Sequence, residues 1–316
     1  MKRDFRLESL KETLETGFGI SVRSIVPLAG HAHSINFKVT TADGAVFAAK
    51  GIPEKADAMS ARLLAHTVSA QTPLAVTRLF EGKVLPFGGW NILALKWIPG
   101  TMRYPDQLDD QETNAFLAGY SSFLDGLRDD GEIMPIRDGN AVRQTVLNCL
   151  RGGNSKGLLR MVEEIPDDEL TLPPSVVRII HGDLHWENFR FENGKVTGFL
   201  DLEELRFGTP AEDLVRYLVC RAEHQRWYDF GGRRRLLKVL ERFLAKTSFT
   251  RGEWLFALNG YLLRKLEKKI KSRHIAFYTR INLYARLKFY RAFRSLVCAA
   301  FATRGDRLDE DRHSPA

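Results

Sequence analysis

HGDLHWENF, residues His181 to Phe189, packs two histidines, two carboxylates and an asparagine into one short stretch. VVRII, residues 176–180, is mostly β-branched and apolar, so it reads as a buried strand that ends where His181 begins. A polar loop at the end of such a strand sits on a rigid frame and is suited to chemistry. Further on, Phe189-Arg190-Phe191 and the run from Val196 to Asp201 flank Asn193-Gly194, a dipeptide that favours a tight type I′ hairpin turn. A hairpin returns on itself, so Asn188 and Asp201 are expected side by side at one end of the ladder. Two such oxygen donors make half of a Mg²⁺ site, because that ion takes one or two protein oxygens and leaves the rest for phosphates. Asp183, a few residues before Asn188, lies within reach of a hydroxyl beside that metal.

The 316 residues suffice for two lobes and a sizeable core. A hydrophobic share of 44% with 27% charged residues fits a globular chain, and the apolar runs stop short of a membrane span. The opening MKRDFRLESLKETLETGF is charged throughout and does not read as a secretory signal. Cys149, Cys220 and Cys298 form no metal-spaced pair and cannot all pair with one another, so a cytoplasmic location is expected. Net charge is +8, unevenly spread: residues 214–316 hold 24 Lys and Arg against 9 Asp and Glu, and the remainder holds 23 against 30. The basic third reads either as a surface facing anions or as solvated helix faces.

Along the chain, VRSIVPL (22–28), INFKVT (35–40) and AVFAAK (45–50) read as strands, the last two joined by a turn at Asp43-Gly44. Met59, Leu63 and Leu64 mark a helix over 56–69, and NILALKWI from Asn91 reads as another strand, closed by Pro99-Gly100. Beyond residue 100 the period changes to that of helices. Phe116, Tyr120, Phe123 and Leu127 form one apolar face, with Asp109 or Asp110 as cap. Further helices are expected near 140–150, 211–227, 233–246, 251–271 and 278–302, interrupted by strands at 176–201, with a disordered tail over 304–316.

HGDLHWEN followed by FLDLEELRFGTPAEDL resembles the catalytic segment of the aminoglycoside phosphotransferase and choline kinase-like enzymes, a branch of the protein-kinase-like fold. The resemblance rests on His181-Gly182-Asp183, then Asn188, Asp201, Gly208, Pro210 and Asp213 in that spacing. It implies an α+β bilobal fold: a small antiparallel N-lobe sheet with one main helix over 1–98, and a larger, mainly helical C-lobe over 99–303, with nucleotide between them. By resemblance Asp183 is the catalytic base, Asn188 and Asp201 hold Mg²⁺, and Lys50, ending AVFAAK, pairs with the phosphates of ATP. LAGHAHSINFKV places Gly30 and Ser34 in the phosphate-covering hairpin, with His31 where a second glycine is common. Adenine is expected on the backbone from Leu95 to Trp97, with Lys96 where relatives often carry an acid. His181, His185, Glu203 and Asp213 are supporting residues. The helix that should supply Lys50 with a glutamate carries Ser60 near that place, and Glu54 is the nearest alternative.

His185 stands where protein-serine kinases carry a lysine, which implies a small-molecule acceptor. The expected function is therefore ATP-dependent phosphorylation of a hydroxyl on a small molecule, a sugar or saccharide, with the basic helical lobe favouring an anionic or lipid-linked one. A non-catalytic binding protein that kept the fold remains open, and an aminoglycoside acceptor ranks lower because a polycation suits a basic lobe poorly. The helix over 281–301 interleaves Arg286, Lys288, Arg291 and Arg294 with aromatic and apolar residues, and reads as a membrane-surface contact or as a packed helix with a wet basic face. No nucleic-acid motif accompanies it, so no nucleic-acid partner is expected.

Overall fold

Alternation of buried and more exposed residues organises the sheet strands. In the computed structural model, which describes residues 7–28, 34–54, 72–80, 83–129, 133–151, 156–224, 230–271 and 287–303, the chain divides into two units. The helix expected over 56–69, Gly30, His31, Ser60 and the tail lie outside the described residues.

The first unit comprises residues 1–101, 119–132 and 189–204. Strands β1 (Val22–Pro27), β2 (Ile35–Thr41), β3 (Val46–Pro53), β4 (Leu85–Phe87) and β5 (Trp90–Lys96) pair antiparallel in the order β1-β2-β3-β5-β4. Phe37 and Val39 of β2 and Phe47 and Ala49 of β3 are buried, each flanked by less buried residues along most of its strand, as a sheet covered on one face requires. What covers it includes a helix that the sequence reading did not anticipate, α1 (Leu7–Phe18), whose Leu10, Leu14 and Phe18 join the same cluster. That apolar stripe is only one residue wide per turn and is hidden among charges. Each large side chain so buried contributes about 1.5–3 kcal/mol.

A hairpin, β7 (Phe189–Glu192) and β8 (Lys195–Phe199), belongs to the same unit. Its turn holds Asn193 at φ 51° and Gly194 at φ 73°, the left-handed pair a type I′ turn demands. Phe199 is fully buried, its ring 4.4 Å from Phe123, while its amide donates to Leu74 O at 2.6 Å. The hairpin is thereby fixed at its C-terminal end, two residues before Asp201.

The second unit comprises 102–118, 133–188 and 205–316. Its helices are the first part of α2 (Asp110–Asp125), α3 (Gly139–Arg151), α4 (Lys156–Glu163), α5 (Pro210–His224), α6 (Phe230–Lys246), α7 (Arg251–Lys271) and α8 (287–303). Capping sets where they begin: Asp109 Oδ1 accepts from the Glu112 amide at 2.7 Å, and Thr250 Oγ1 accepts from the Glu253 amide at 3.2 Å. The strand expected over 176–180 is shorter, β6 (Arg178–Ile180), because Pro173 and Pro174 lead into a 3₁₀ turn. It pairs with β9 (Arg206–Gly208), a strand too short to show periodicity. Among the described residues no helix is long and apolar enough to cross a membrane.

Candidate active site

The first unit assembles three of the expected residues around a buried amine. Lys50 lies on β3 opposite Leu93, and only 7% of it is exposed. Its Nζ donates to Asp201 Oδ1 at 2.8 Å and to Glu203 Oε1. Burial opposes the ammonium, but the two carboxylates outweigh it and raise the lysine pKa above its ordinary value. Asp201 follows β8 in the left-handed region, at φ 55°, a conformation that costs a non-glycine residue energy and tends to persist where function requires it. Glu203 sits in the 3₁₀ turn Leu202–Glu204. Among the described residues, the lysine's carboxylates thus come from beyond the hairpin, while exposed Glu54 lies in the turn after β3. Leu95 is buried opposite Ala48, Trp97 packs under Lys38 with Nζ 4.9 Å from its ring centroid, and Ser34 Oγ accepts from Asn36 at 3.4 Å.

The second unit holds the polar loop. Asp213, fully buried in the first turn of α5, accepts from the His181 amide with Oδ2 at 2.8 Å and from the Gly182 amide with Oδ1 at 2.9 Å. Gly182 has φ 79°, which only glycine adopts at no cost. His181, fully buried, accepts from the Asp183 amide through Nδ1 at 3.3 Å. Asn188 Nδ2 donates to the Asp183 carbonyl at 2.9 Å, closing the loop on itself. His185 Nδ1 accepts from the Glu187 amide at 3.3 Å, and its Nε2 points toward Asp183 Oδ2 at 3.7 Å. The Asp183 carboxylate is one-quarter exposed, and its Oδ1 is held by Arg216, one helical turn beyond Asp213 on α5. Arg216 was missed in the sequence; its signal was the three-residue spacing from Asp213, which puts both on one helix face.

Asn188 in the second unit and Asp201 in the first each carry an oxygen of the kind Mg²⁺ takes. The Asn188 side-chain nitrogen is committed to a carbonyl within its own loop, and Asp201 has a side chain 43% exposed. An amide oxygen and a carboxylate are the hard ligands that ion takes.

The sheet with its buried lysine, the HGD loop bonded to the next helix and the Asp after the hairpin are parts of a protein-kinase-like phosphotransferase. The sequence profile of the phosphotransferase enzyme family matches residues 24–255. The chain belongs to that family, and it is a small-molecule phosphotransferase. Among curated proteins none matches it significantly. Solved structures share the fold: the macrolide 2′-phosphotransferase MphH from Brachybacterium faecium aligns over 93% of this chain and 97% of its own, with 13% identity and a TM-score of 0.58. Amicoumacin kinase hAmiN, in complex with AMP-PNP, Ca²⁺ and its ligand, aligns over 93% and 94%, with 12% identity and a TM-score of 0.57. The aminoglycoside phosphotransferase APH(3″)-Id from Streptomyces rimosus aligns over 82% and 98%, with 17% identity and a TM-score of 0.53.

Proposed function

We propose that this protein transfers the γ-phosphoryl group of ATP to a hydroxyl of a sugar or saccharide. Lys50 carries the reading: a lysine amine so thoroughly buried, kept charged by Asp201 and Glu203, is of little use to a sheet alone but is poised to bind nucleotide phosphates. Asp183 takes the acceptor proton as the hydroxyl oxygen attacks phosphorus, the bond from phosphorus to the bridging oxygen breaks, and ADP leaves. His181 and Asp213 hold the loop in register for that attack. Asn188 and Asp201 are the residues that would hold Mg²⁺, which neutralises phosphate charge. Ser34 and the backbone near Leu95 and Trp97 are assigned to the nucleotide. Structures of similar fold in complex with ADP and streptomycin, or with AMP-PNP and hygromycin B, support nucleotide-dependent transfer to a hydroxyl-rich molecule. Arg234, Arg235 and Lys238, exposed on α6, support an anionic acceptor, free or carried on a lipid at a membrane surface.

The test is thermal unfolding of the full chain with Mg²⁺ and ATP. Ligand at one hundred times its Kd stabilises the folded state by about 2.7 kcal/mol, so the transition should rise in the wild type and stay put in Asp201→Ala. Asp183→Ala should keep the nucleotide response but lose turnover by roughly 10²- to 10⁴-fold. Full turnover in that variant would remove Asp183 as base, and no response to nucleotide in the wild type would favour a non-catalytic binding protein.

A further inference from the structure

The cations of α5 and the elements around it mostly have carboxylates of their own. Arg206 and Arg264 share Glu212 at 2.7 and 3.2 Å, Arg221 pairs with Asp106 at 3.0 Å, and Lys265 pairs with Glu223 at 3.1 Å. Arg216 differs, since its carboxylate is that of Asp183, the residue assigned as base. A base must offer a lone pair to the incoming hydroxyl at about 2.6–3.2 Å. Here Oδ1 is covered by the guanidinium, and Oδ2 faces His185 Nε2 at 3.7 Å.

The guanidinium is also incompletely used. Its planar fork carries five N–H groups and suits two oxygens of one anion, yet Arg216 reaches Asp183 through Nη2 while its Nε is buried with no hydrogen-bond partner. A second oxyanion brought by the acceptor would satisfy the fork and draw it off the base.

We propose that Arg216 selects the acceptor by charge: it binds a carboxylate or phosphate group carried on the saccharide, and by turning to it frees Oδ1 of Asp183 to take the hydroxyl proton. This rests on the phosphotransferase reading and deepens it. The acceptor O–H bond breaks with its proton going to Asp183, its oxygen forms the new bond to phosphorus, and the bond from phosphorus to the bridging oxygen of ATP breaks, so that ADP departs with that bond's electron pair. A neutral acceptor leaves Arg216 on the base. An amino sugar sets an ammonium against the guanidinium, and like charges at that range repel. Arg216 is thus a binding residue and, through Asp183, a gate on the proton transfer.

The experiment uses the full chain with Mg²⁺ and ATP, measuring ADP release with hexoses matched in ring and differing in charge: uronates, hexose phosphates, neutral hexoses and amino sugars. The uronates and the hexose phosphates are read separately, so that the carboxylate and the phosphate are distinguished. The expected result is a kcat/KM for one anionic class at least about tenfold above the neutral hexoses. In Arg216→Gln that ratio falls toward one through KM, and Arg216→Lys restores part of it. An unchanged ratio in Arg216→Gln, a wild-type preference for neutral or amino sugars, or no turnover of any anionic member overturns the proposal. Thermal stabilisation by Mg²⁺ and ATP on the same samples separates the failures. Its absence in the wild type removes the phosphotransferase reading itself, whereas its presence with unchanged ratios removes only the role of Arg216. Its retention in Arg216→Gln shows that the variant folds.

Discussion

Lys50 shows what a single position does and does not disclose. Its place at the end of AVFAAK marks it by resemblance as the phosphate-pairing lysine, and the resemblance places its carboxylate partner in the helix over 56–69. The structure provides Glu203 and Asp201, more than 150 residues further along. No local periodicity connects residues so distant; only the fold brings Glu203 to the lysine. Lys50→Met would leave two carboxylates facing an apolar tip. Breaking a fully buried pair costs about 3–5 kcal/mol, and with Asp201 nearly half exposed the expected loss is about 1–3 kcal/mol. The pH dependence follows from the raised pKa. The ion pair's stability is fully present below the ordinary lysine value of 10.5 and is lost as pH rises through the higher folded value. The difference in melting temperature between wild type and Lys50→Met should therefore hold steady across neutral pH and shrink only in strong alkali. A difference that closes near neutrality would show that another group titrates there.

At the scale of elements, what the sequence hid was mostly short or cooperative. The long helices α2, α6 and α7 were visible because a 3.6-residue period repeats several times within each. Strand β9 is three residues long, and it is held in place by side chains from outside it. Arg206 of β9 and Arg264 of α7 both clasp Glu212 on α5, and the Thr209 amide donates to the same carboxylate at 3.2 Å. Gly208 is required beside them, because a Cβ there would stand 2.5 Å from Glu212 Oε1 and 2.7 Å from Ile180. Gly208 was legible as part of the spaced motif, but its reason was not, since the crowding comes from Glu212 and Ile180 together. Burial alone would raise the pKa of Glu212, yet the two arginines outweigh it and hold that pKa below the ordinary value of 4.5. Burial and Arg206, partly offset by Glu212, bring Arg264 down to about 10. A depressed carboxylate gives stability that is present above its unfolded pKa and disappears as pH falls through the folded one. Glu212→Gln should cost about 3–5 kcal/mol in urea unfolding at neutral pH and should lose less further stability than wild type below about pH 4.5. Parallel acid profiles for the two proteins would show that Glu212 is not the group being titrated.

For the whole molecule, the basic last third of the chain left two readings open, an anion-facing surface or solvated helix faces. Part of that charge is spent inside the second unit. Arg221, Arg264 and Lys265 have carboxylate partners, and Arg294 on α8 reaches both oxygens of Glu169, which is 4% exposed. Asn259 on α7 donates to the same carboxylate at 2.9 Å and accepts from Tyr290 Oη, so one buried acid joins α7 and α8. Composition cannot distinguish a structural arginine from a recognition arginine; only the location of its carboxylate can. Arg234, Arg235 and Lys238 are exposed on α6, as either reading allows. Arg294→Ala tests how far the last helix depends on internal charge. It removes the bidentate partner of Glu169, leaving Arg251 at 3.9 Å and Asn259 to compensate. Because the Arg294 side chain is 31% exposed, solvent screening lowers the expected cost to about 2–3 kcal/mol. Hydrogen exchange at the backbone of 287–303 should accelerate with that loss. The response to Mg²⁺ and ATP should persist, since the groups bonded to or facing Glu169, namely Arg294, Asn259 and Arg251, include none of Lys50, Asn188 and Asp201. Unchanged exchange in α8 would mean that apolar packing through Phe293 and Val297, both fully buried, holds the helix without the ion pair.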